Sequence, residues 1–261
     1  MALLSASGVS LAFAGVRALA QIDLQIEEGE LLGIIGPNGS GKSTLFNVLS
    51  GIYRVDDGSI VFRGQRIEQL GVAQIVRCGI ARTFQNKRLF GTMTVLENVV
   101  VAALKGAQGS ALGDVLGLRS AAQARDKAVA IADRCLALTG LTQSRELLAR
   151  DLPYGAQNRL ELARALALEP TLLLLDEPAA GLNPSERAEL RELIRRIHGE
   201  GLTIALVEHD VRMVTGLCAR AIVLDHGEKI ADGASAAVVR DPRVQAAYFG
   251  VVEGEEEAHG V

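Results

Sequence analysis

The chain has 261 residues, is 49% hydrophobic and carries a formal charge of −4. That length allows one large domain, or one domain with an inserted lobe. The charge has the wrong sign for a nucleic-acid binder, and no tryptophan with 3% aromatic residues leaves little for base stacking. No uninterrupted apolar run approaches the ~18 residues of a transmembrane helix, and residues 1–6 lack the basic and long apolar regions of an export signal. Cys78, Cys135 and Cys218 are scattered and odd in number, which suggests buried thiols in a reducing cytosol rather than a disulfide framework or metal cluster.

In chain order, Val9, Leu11 and Phe13 fall on alternate positions, as do Ile22, Leu24 and Ile26. This predicts β-structure over residues 3–30, with turns at Gly15 and Glu28-Gly29. Phe13 is either a half-buried strand residue or an aromatic face for an adenine ring. Residues 31–35 are apolar and predict a buried strand. Then comes Gly36-Pro37-Asn38-Gly39-Ser40-Gly41-Lys42-Ser43-Thr44, followed by a predicted helix over 42–51.

Strand, glycine-rich loop and helix is the context in which GxxxxGK[ST] binds phosphate. The glycines let successive backbone N–H groups point inward at phosphate oxygens. The helix N-terminus adds unpaired N–H groups and partial positive charge. In this pattern Lys42 reaches the β- and γ-phosphates and the Ser43 hydroxyl ligates Mg²⁺.

Asp56-Asp57-Gly58 predicts a turn, residues 59–62 a strand, 68–78 a short helix and 80–84 another strand, after which stands Gln85. A glutamine there can ligate Mg²⁺ or position a water, and can equally be a surface amide. Thr94 can cap a helix from Val95. Residues 105–120 predict a loop with a weak helix, and 121–139 a helix ended by Gly140.

Leu152-Pro153-Tyr154-Gly155-Ala156-Gln157 reads as a turn opening onto a helix that runs to residue 168, so a second helix N-terminus is available to an anion. Leu172-Leu173-Leu174-Leu175 predicts a buried parallel strand ending in Asp176-Glu177-Pro178. At that end Asp176 can hold Mg²⁺ and Glu177 can orient or deprotonate a water. A helix from Asn183 to about residue 199 and a strand over 202–207 lead to Glu208-His209-Asp210, where His209 can donate to a γ-phosphate. Residues 221–225 and 229–233 predict a strand and its hairpin partner, 241–250 a short helix, and 253–261 a disordered glutamate-rich tail.

The order of these parts over residues 4–250 resembles the ATP-binding subunit of ABC transporters. The resemblance implies an α/β fold: a phosphate-loop NTPase (ABC ATPase) core with an N-terminal antiparallel β-subdomain and an inserted helical subdomain. It divides a single domain over 1–250 into a core (1–88 and 166–250) and a helical lobe (89–165), with 251–261 as an acidic tail. It implies Phe13 as the adenine-stacking aromatic, residues 36–44 as the phosphate loop and Gln85 as the coupling glutamine. Tyr154, Gly155, Ala156 and Gln157 fall in the signature turn, and Ala180-Gly181-Leu182-Asn183 in the loop that crosses the dimer interface. Asp176 becomes the Mg²⁺ holder beside Ser43 and Gln85; Glu177 becomes the catalytic glutamate and His209 the γ-phosphate switch.

The finer resemblance is to the branched-chain amino-acid importer subgroup. It rests on Tyr154-Gly155, on the Glu-Pro-Ala-Ala-Gly-Leu-Asn-Pro run from Glu177, on the long lobe after Asn98 and on the ending Val244-Gln245-Ala246-Ala247-Tyr248-Phe249-Gly250. It implies ATP and Mg²⁺ as cofactors and an ATP sandwich between two such subunits, alike or related. It implies integral membrane permeases contacted through residues 85–100 with Phe90 as an apolar anchor, a periplasmic binding protein as indirect partner, and a place on the cytoplasmic face of the inner membrane. Urea or amide import stays open as cargo, and a soluble non-transport ABC ATPase is the competing reading. One departure stands out: Pro153 occupies the place of the signature serine, removing both its hydroxyl and its N–H. The N–H groups of Gly155 and Ala156, with the helix dipole, are then expected to hold the anion.

Overall fold

Alternating apolar and polar residues make the N-terminal segment a hairpin. β1 (Ala2–Phe13) and β2 (Val16–Glu27) pair antiparallel from Ala2 opposite Glu27 to Phe13 opposite Val16, in a computed structural model that describes residues 2–84, 89–106 and 118–249. β3 (Leu31–Ile35) is buried throughout and leads through the glycine-rich loop into α1 (Lys42–Leu49). β4 (Asp57–Phe62) and β5 (Gln65–Arg66) complete a four-stranded antiparallel sheet ordered β2-β1-β4-β5. Asp57 and Gly58, expected in a turn, already belong to the strand. Asp57 pairs with Ser10, and a Cβ on Gly58 would lie 2.6 Å from the Gly8 carbonyl oxygen.

α2 (Val72–Cys78) is shorter than the helix expected over 68–78. Glu68 instead spends its carboxylate on Arg66 Nε, at 2.6 Å, and on the Ile60 N–H, at 3.2 Å. β6 (Ile80–Arg82) follows, then α3 (Val95–Gly106). Thr94 caps α3 as expected: its Oγ1 accepts from the Glu97 N–H at 3.1 Å while Glu97 Oε2 accepts from the Thr94 N–H at 2.7 Å. α4 (Leu118–Leu138) stops before Gly140, whose φ of 71° is the left-handed helix-ending conformation.

α5 (Tyr154–Leu166) corrects one expectation: Tyr154, Gly155, Ala156 and Gln157 form the first helical turn, with Pro153 as N-cap, rather than a turn ahead of the helix. Proline suits that boundary because its fixed φ is pre-set and it has no N–H to satisfy. The remaining elements are β7 (Leu172–Asp176), α6 (Pro184–Gly199), β8 (Thr203–Val207), α7 (Val211–Leu217), β9 (Arg220–Asp225), β10 (Glu228–Ala234), α8 (Ser235–Val238) and α9 (Pro242–Phe249). α7 and α8 were not anticipated.

The second sheet is ordered β10-β9-β3-β8-β7-β6, parallel except where β10 turns back on β9. Strand periodicity splits its side chains between two cores. Leu172, Leu174 and Ile34 pack with Phe46, Phe62 and the antiparallel sheet. Leu173, Leu175 and Ile35 pack with α6 and α7 through Ile194 and Val214. Each such leucine contributes roughly 2 kcal/mol by leaving water. A separate cluster of Val95, Val99, Ala132, Leu136 and Leu160 joins α3, α4 and α5. Among the described residues no helix is long and apolar enough to cross a membrane. Cys135 and Cys218 are buried as expected, whereas Cys78 is only half-buried.

Candidate functional site

The parallel strands bring distant segments to one edge. Ile34 of β3, Val207 of β8 and Asp176 of β7 stand in register on adjacent strands. The glycine-rich loop, Asp176-Glu177 and Glu208-His209 therefore emerge side by side at the carboxyl ends of the strands, where open α/β sheets bind ligands.

The loop depends on backbone shapes that side chains would block. Gly36 and Gly41 have φ of 154° and 100°. A Cβ would meet the Leu224 carbonyl oxygen at 2.1 Å from Gly36 and the Ala18 carbonyl oxygen at 2.6 Å from Gly41. The loop is pinned by the Gly227 N–H, which donates to the Ser40 carbonyl at 3.1 Å. α1 starts at Lys42 with no side-chain cap and no acidic residue in its first turn, leaving its first N–H groups to an anion. Lys42 is buried, and Nζ donates to the carbonyls of Gly36 and Pro37, both at 2.8 Å. Burial lowers its pKa, and the negative charges of Glu177 and Asp176 pull the other way.

Residues 38–44 line a cleft of about 270 Å³ with Ala18, Glu177 and His209. Glu177 is buried and adopts a left-handed φ of 47°, the kind of strain that gathers at functional sites. Its N–H donates to the Val207 carbonyl at 2.9 Å, and its Oε1 lies 2.5 Å from His209 Nε2. Asp176 is also buried. Its Oδ2 accepts from Arg82 Nη2 at 2.7 Å, whereas its Oδ1 is buried without a hydrogen-bond partner. Leaving a carboxylate oxygen orphaned is costly, and a hard divalent cation satisfies it. The orphaned Oδ1 of Asp176 is therefore an oxygen that fits Mg²⁺, and the Ser43 hydroxyl at the start of α1 is a second donor of the same hard kind.

Sequence reading missed Ala18, Arg82 and Glu208. Ala18 and Arg82 belong to no motif, and their positions are meaningful only once β2 and β6 are packed. Glu208 is buried, with Oε1 accepting from the Ala179 N–H at 2.9 Å. Burial foremost pushes its carboxyl up to about 7; the backbone N–H groups of Ala179 and His209 oppose this, and the charges of Glu177 and Asp210 add to it. Its place beside His209 was the available signal.

The other expected residues lie apart from the cleft. Gly155 and Ala156 line a different cavity of about 220 Å³ with Pro153 and Glu186. The Tyr154 hydroxyl donates to the Ala180 carbonyl at 3.2 Å, and Tyr154 borders a small cavity that Asp176 and Glu177 also line. Gln157 donates its side-chain amide to the Leu152 carbonyl at 3.0 Å. Phe13 is 42% exposed, with its ring against Tyr53 at 5.1 Å in an edge-on contact. Gln85 and the acidic tail lie outside the described residues.

Comparison with known proteins identifies the family. The ABC transporter family model matches residues 19–180, and the model for the branched-chain amino acid ATP-binding cassette transporter matches residues 228–253. The chain is 40% identical over 249 residues to the high-affinity branched-chain amino acid transport ATP-binding protein LivG of Escherichia coli (strain K12), covering 95% of this chain and 98% of that one. Among solved structures it is similar to the ADP conformation of an ATP-binding cassette of an ABC transporter, with TM-score 0.83 and 28% identity over 96% of this chain and 99% of that one. It is also similar to a dimeric cassette in a post-hydrolysis state bound to ADP and Pi, with TM-score 0.73 and 25% identity over 89% and 98% of the two chains. With its phosphate loop, Glu177 and the strand-end His209 meeting in one cleft, this chain belongs to the ABC transporter family of ATP-binding proteins.

Proposed function

We propose that this chain is the ATP-hydrolysing subunit of an importer for branched-chain amino acids. The observation that carries the proposal is the cleft in which the phosphate loop, Glu177 and His209 converge while Gly155 and Ala156 line a different cavity. Such a site is half of one. Two subunits, alike or related, complete it by placing the α5 N-terminus of one against the phosphate loop of the other; a similar solved cassette, bound to ADP and Pi, is dimeric. The cargo rests on the 40% identical relative, named for branched-chain amino acid transport.

In this reading Lys42 leaves the Gly36 and Pro37 carbonyls to meet the β- and γ-phosphates. The N–H groups of residues 36–44 and of α1 hold the phosphates in place. Ser43 and Asp176, with Gln85, would hold Mg²⁺, which supplies charge neutralisation of the transferring phosphoryl group. Glu177 orients a water for in-line attack and takes its proton, and His209 donates to the γ-phosphate. The N–H groups of Gly155 and Ala156 contact the partner's nucleotide, and Phe13 stacks on the adenine.

The lobe over 89–165 serves the membrane permeases. Asn98, fully buried, holds the backbone of Phe90 by accepting from its N–H at 2.9 Å and donating to its carbonyl at 3.0 Å. The Phe90 ring is 42% exposed, and the Arg164 guanidinium lies over it at 4.9 Å. A fixed, exposed aromatic suits an apolar socket on a permease at the cytoplasmic face, with a periplasmic binding protein delivering cargo on the other side. The test is co-expression with the permease and binding-protein subunits of a branched-chain amino-acid importer, and uptake of labelled leucine, isoleucine, valine and urea in vesicles. ATP-dependent uptake of the three amino acids, abolished by Lys42→Ala, is expected. Uptake of urea alone would overturn the cargo assignment.

A further inference from the structure

Arg82 is the last residue of β6, paired with Leu174 of β7. Its side chain and that of Asp176 are 6% and 5% exposed. One terminal nitrogen, Nη2, donates to Asp176 Oδ2 at 2.7 Å. The other, Nη1, donates to Asn47 Oδ1 at 2.7 Å and to the Ser50 hydroxyl at 2.9 Å. The guanidinium also lies over Phe46 at 5.7 Å and Phe84 at 5.2 Å. Its Nε is buried without a hydrogen-bond partner, so the two Nη groups alone hold the fork.

Those contacts tie three segments together. α1 carries Lys42 and Ser43 at one end and Asn47 toward the other, with Ser50 as its C-cap. β7 ends in Asp176. β6 leads into the stretch that holds Gln85. We infer that Arg82 is a positioning residue for the divalent cation: it occupies Oδ2 of Asp176, leaves the orphaned Oδ1 as the oxygen for the ion, and fixes α1, which carries Ser43, against the strand that carries Asp176. The planar fork is what the task requires. Two donors in one plane reach α1 and β7 at once, whereas a lysine ammonium is a single point charge on a flexible stem. Residues that orient a ligand from behind usually change metal affinity more than they change binding of the rest of the substrate.

The inference rests on the reading of Asp176 as Mg²⁺ holder, and the test separates the two. The purified full chain binds a fluorescent non-hydrolysable ATP analogue, first in EDTA and then with increasing Mg²⁺; Mn²⁺ binding to the complex is followed by electron paramagnetic resonance. Arg82→Met is expected to raise the half-saturating cation concentration about tenfold, with affinity in EDTA unchanged within about twofold. Arg82→Lys restores the charge but not the fork and is expected to recover little. Asn47→Ala, which keeps the Arg82–Asp176 pair, provides a milder variant if Arg82→Met does not fold, and a smaller shift of the same sign is expected. A shift with Asp176→Asn but none with either Arg82→Met or Asn47→Ala overturns the inference. Equal losses with and without cation also overturn it, because they mark a merely structural role. An unmoved Asp176→Asn overturns the reading beneath it and the inference with it.

Discussion

His209 Nε2 stands 2.5 Å from Glu177 Oε1, with the histidine side chain 45% exposed and the carboxylate side chain 8% exposed. The contact spans the ends of β7 and β8, and both residues line the cleft of the phosphate loop. A buried carboxylate is thus aligned by a ring that itself faces solvent. In the proposed mechanism the histidine orders the Glu177 carboxylate and the γ-phosphate rather than anchoring the nucleotide. His209→Ala is expected to leave ATP affinity within about threefold while slowing phosphate release in the assembled transporter roughly 10²-fold, a typical loss for a positioned acid–base group. Turnover within twofold of the parent chain would contradict that role.

Pro153 caps α5 with φ −56° and ψ 154°, and its carbonyl accepts from the Gln157 N–H at 3.0 Å. A serine fits the same backbone and adds a hydroxyl that can accept from the first turn, worth about 1 kcal/mol at an N-cap. Pro153→Ser should therefore preserve or raise thermal stability and preserve or raise transport-coupled ATPase activity. A severe loss of activity would mean that proline does something the helix dipole and the N–H groups of Gly155 and Ala156 do not.

Glu208 supplies a pH prediction. Burial lifts its carboxyl from an ordinary 4.5 to about 7. Between those values the folded chain keeps a proton that the unfolded chain has released, so this group's contribution to stability falls as pH rises and levels off above 7. The span corresponds to about 3 kcal/mol, or several degrees in melting temperature for a chain of this size. Glu208→Gln retains an acceptor for the Ala179 N–H and removes the titration. It should match the parent near pH 4.5 and melt higher than the parent at pH 8. Parallel melting curves at both pH values would contradict the burial argument.

Legibility from sequence followed the range of the interactions. The phosphate loop, the leucine strand before Asp176 and the capping box at Thr94 each express their physics within a few consecutive residues, and the structure has those elements where they were expected. The helix from Tyr154 began earlier than expected because a Gly/Pro/Tyr composition reads as a turn, although proline at an N-cap is compatible with helix onset. α7 and α8 are too short for a helical period to emerge from their neighbours. Arg82 had no local signal at all: its partners are 35, 32 and 94 residues away in the chain. Glu177 and His209 were expected at two strand ends, but neither their direct contact nor the left-handed backbone of Glu177 was, since only glycine adopts that conformation cheaply.

The central claim is that Glu177 activates water in a site formed by two subunits. Glu177→Gln keeps the shape and hydrogen-bonding capacity of the side chain and removes its basicity. In the assembled transporter, ATP binding at parental affinity should coincide with at least a hundredfold loss of steady-state hydrolysis and with accumulation of an ATP-bound dimer. Unchanged turnover in the Glu177→Gln transporter would contradict the account.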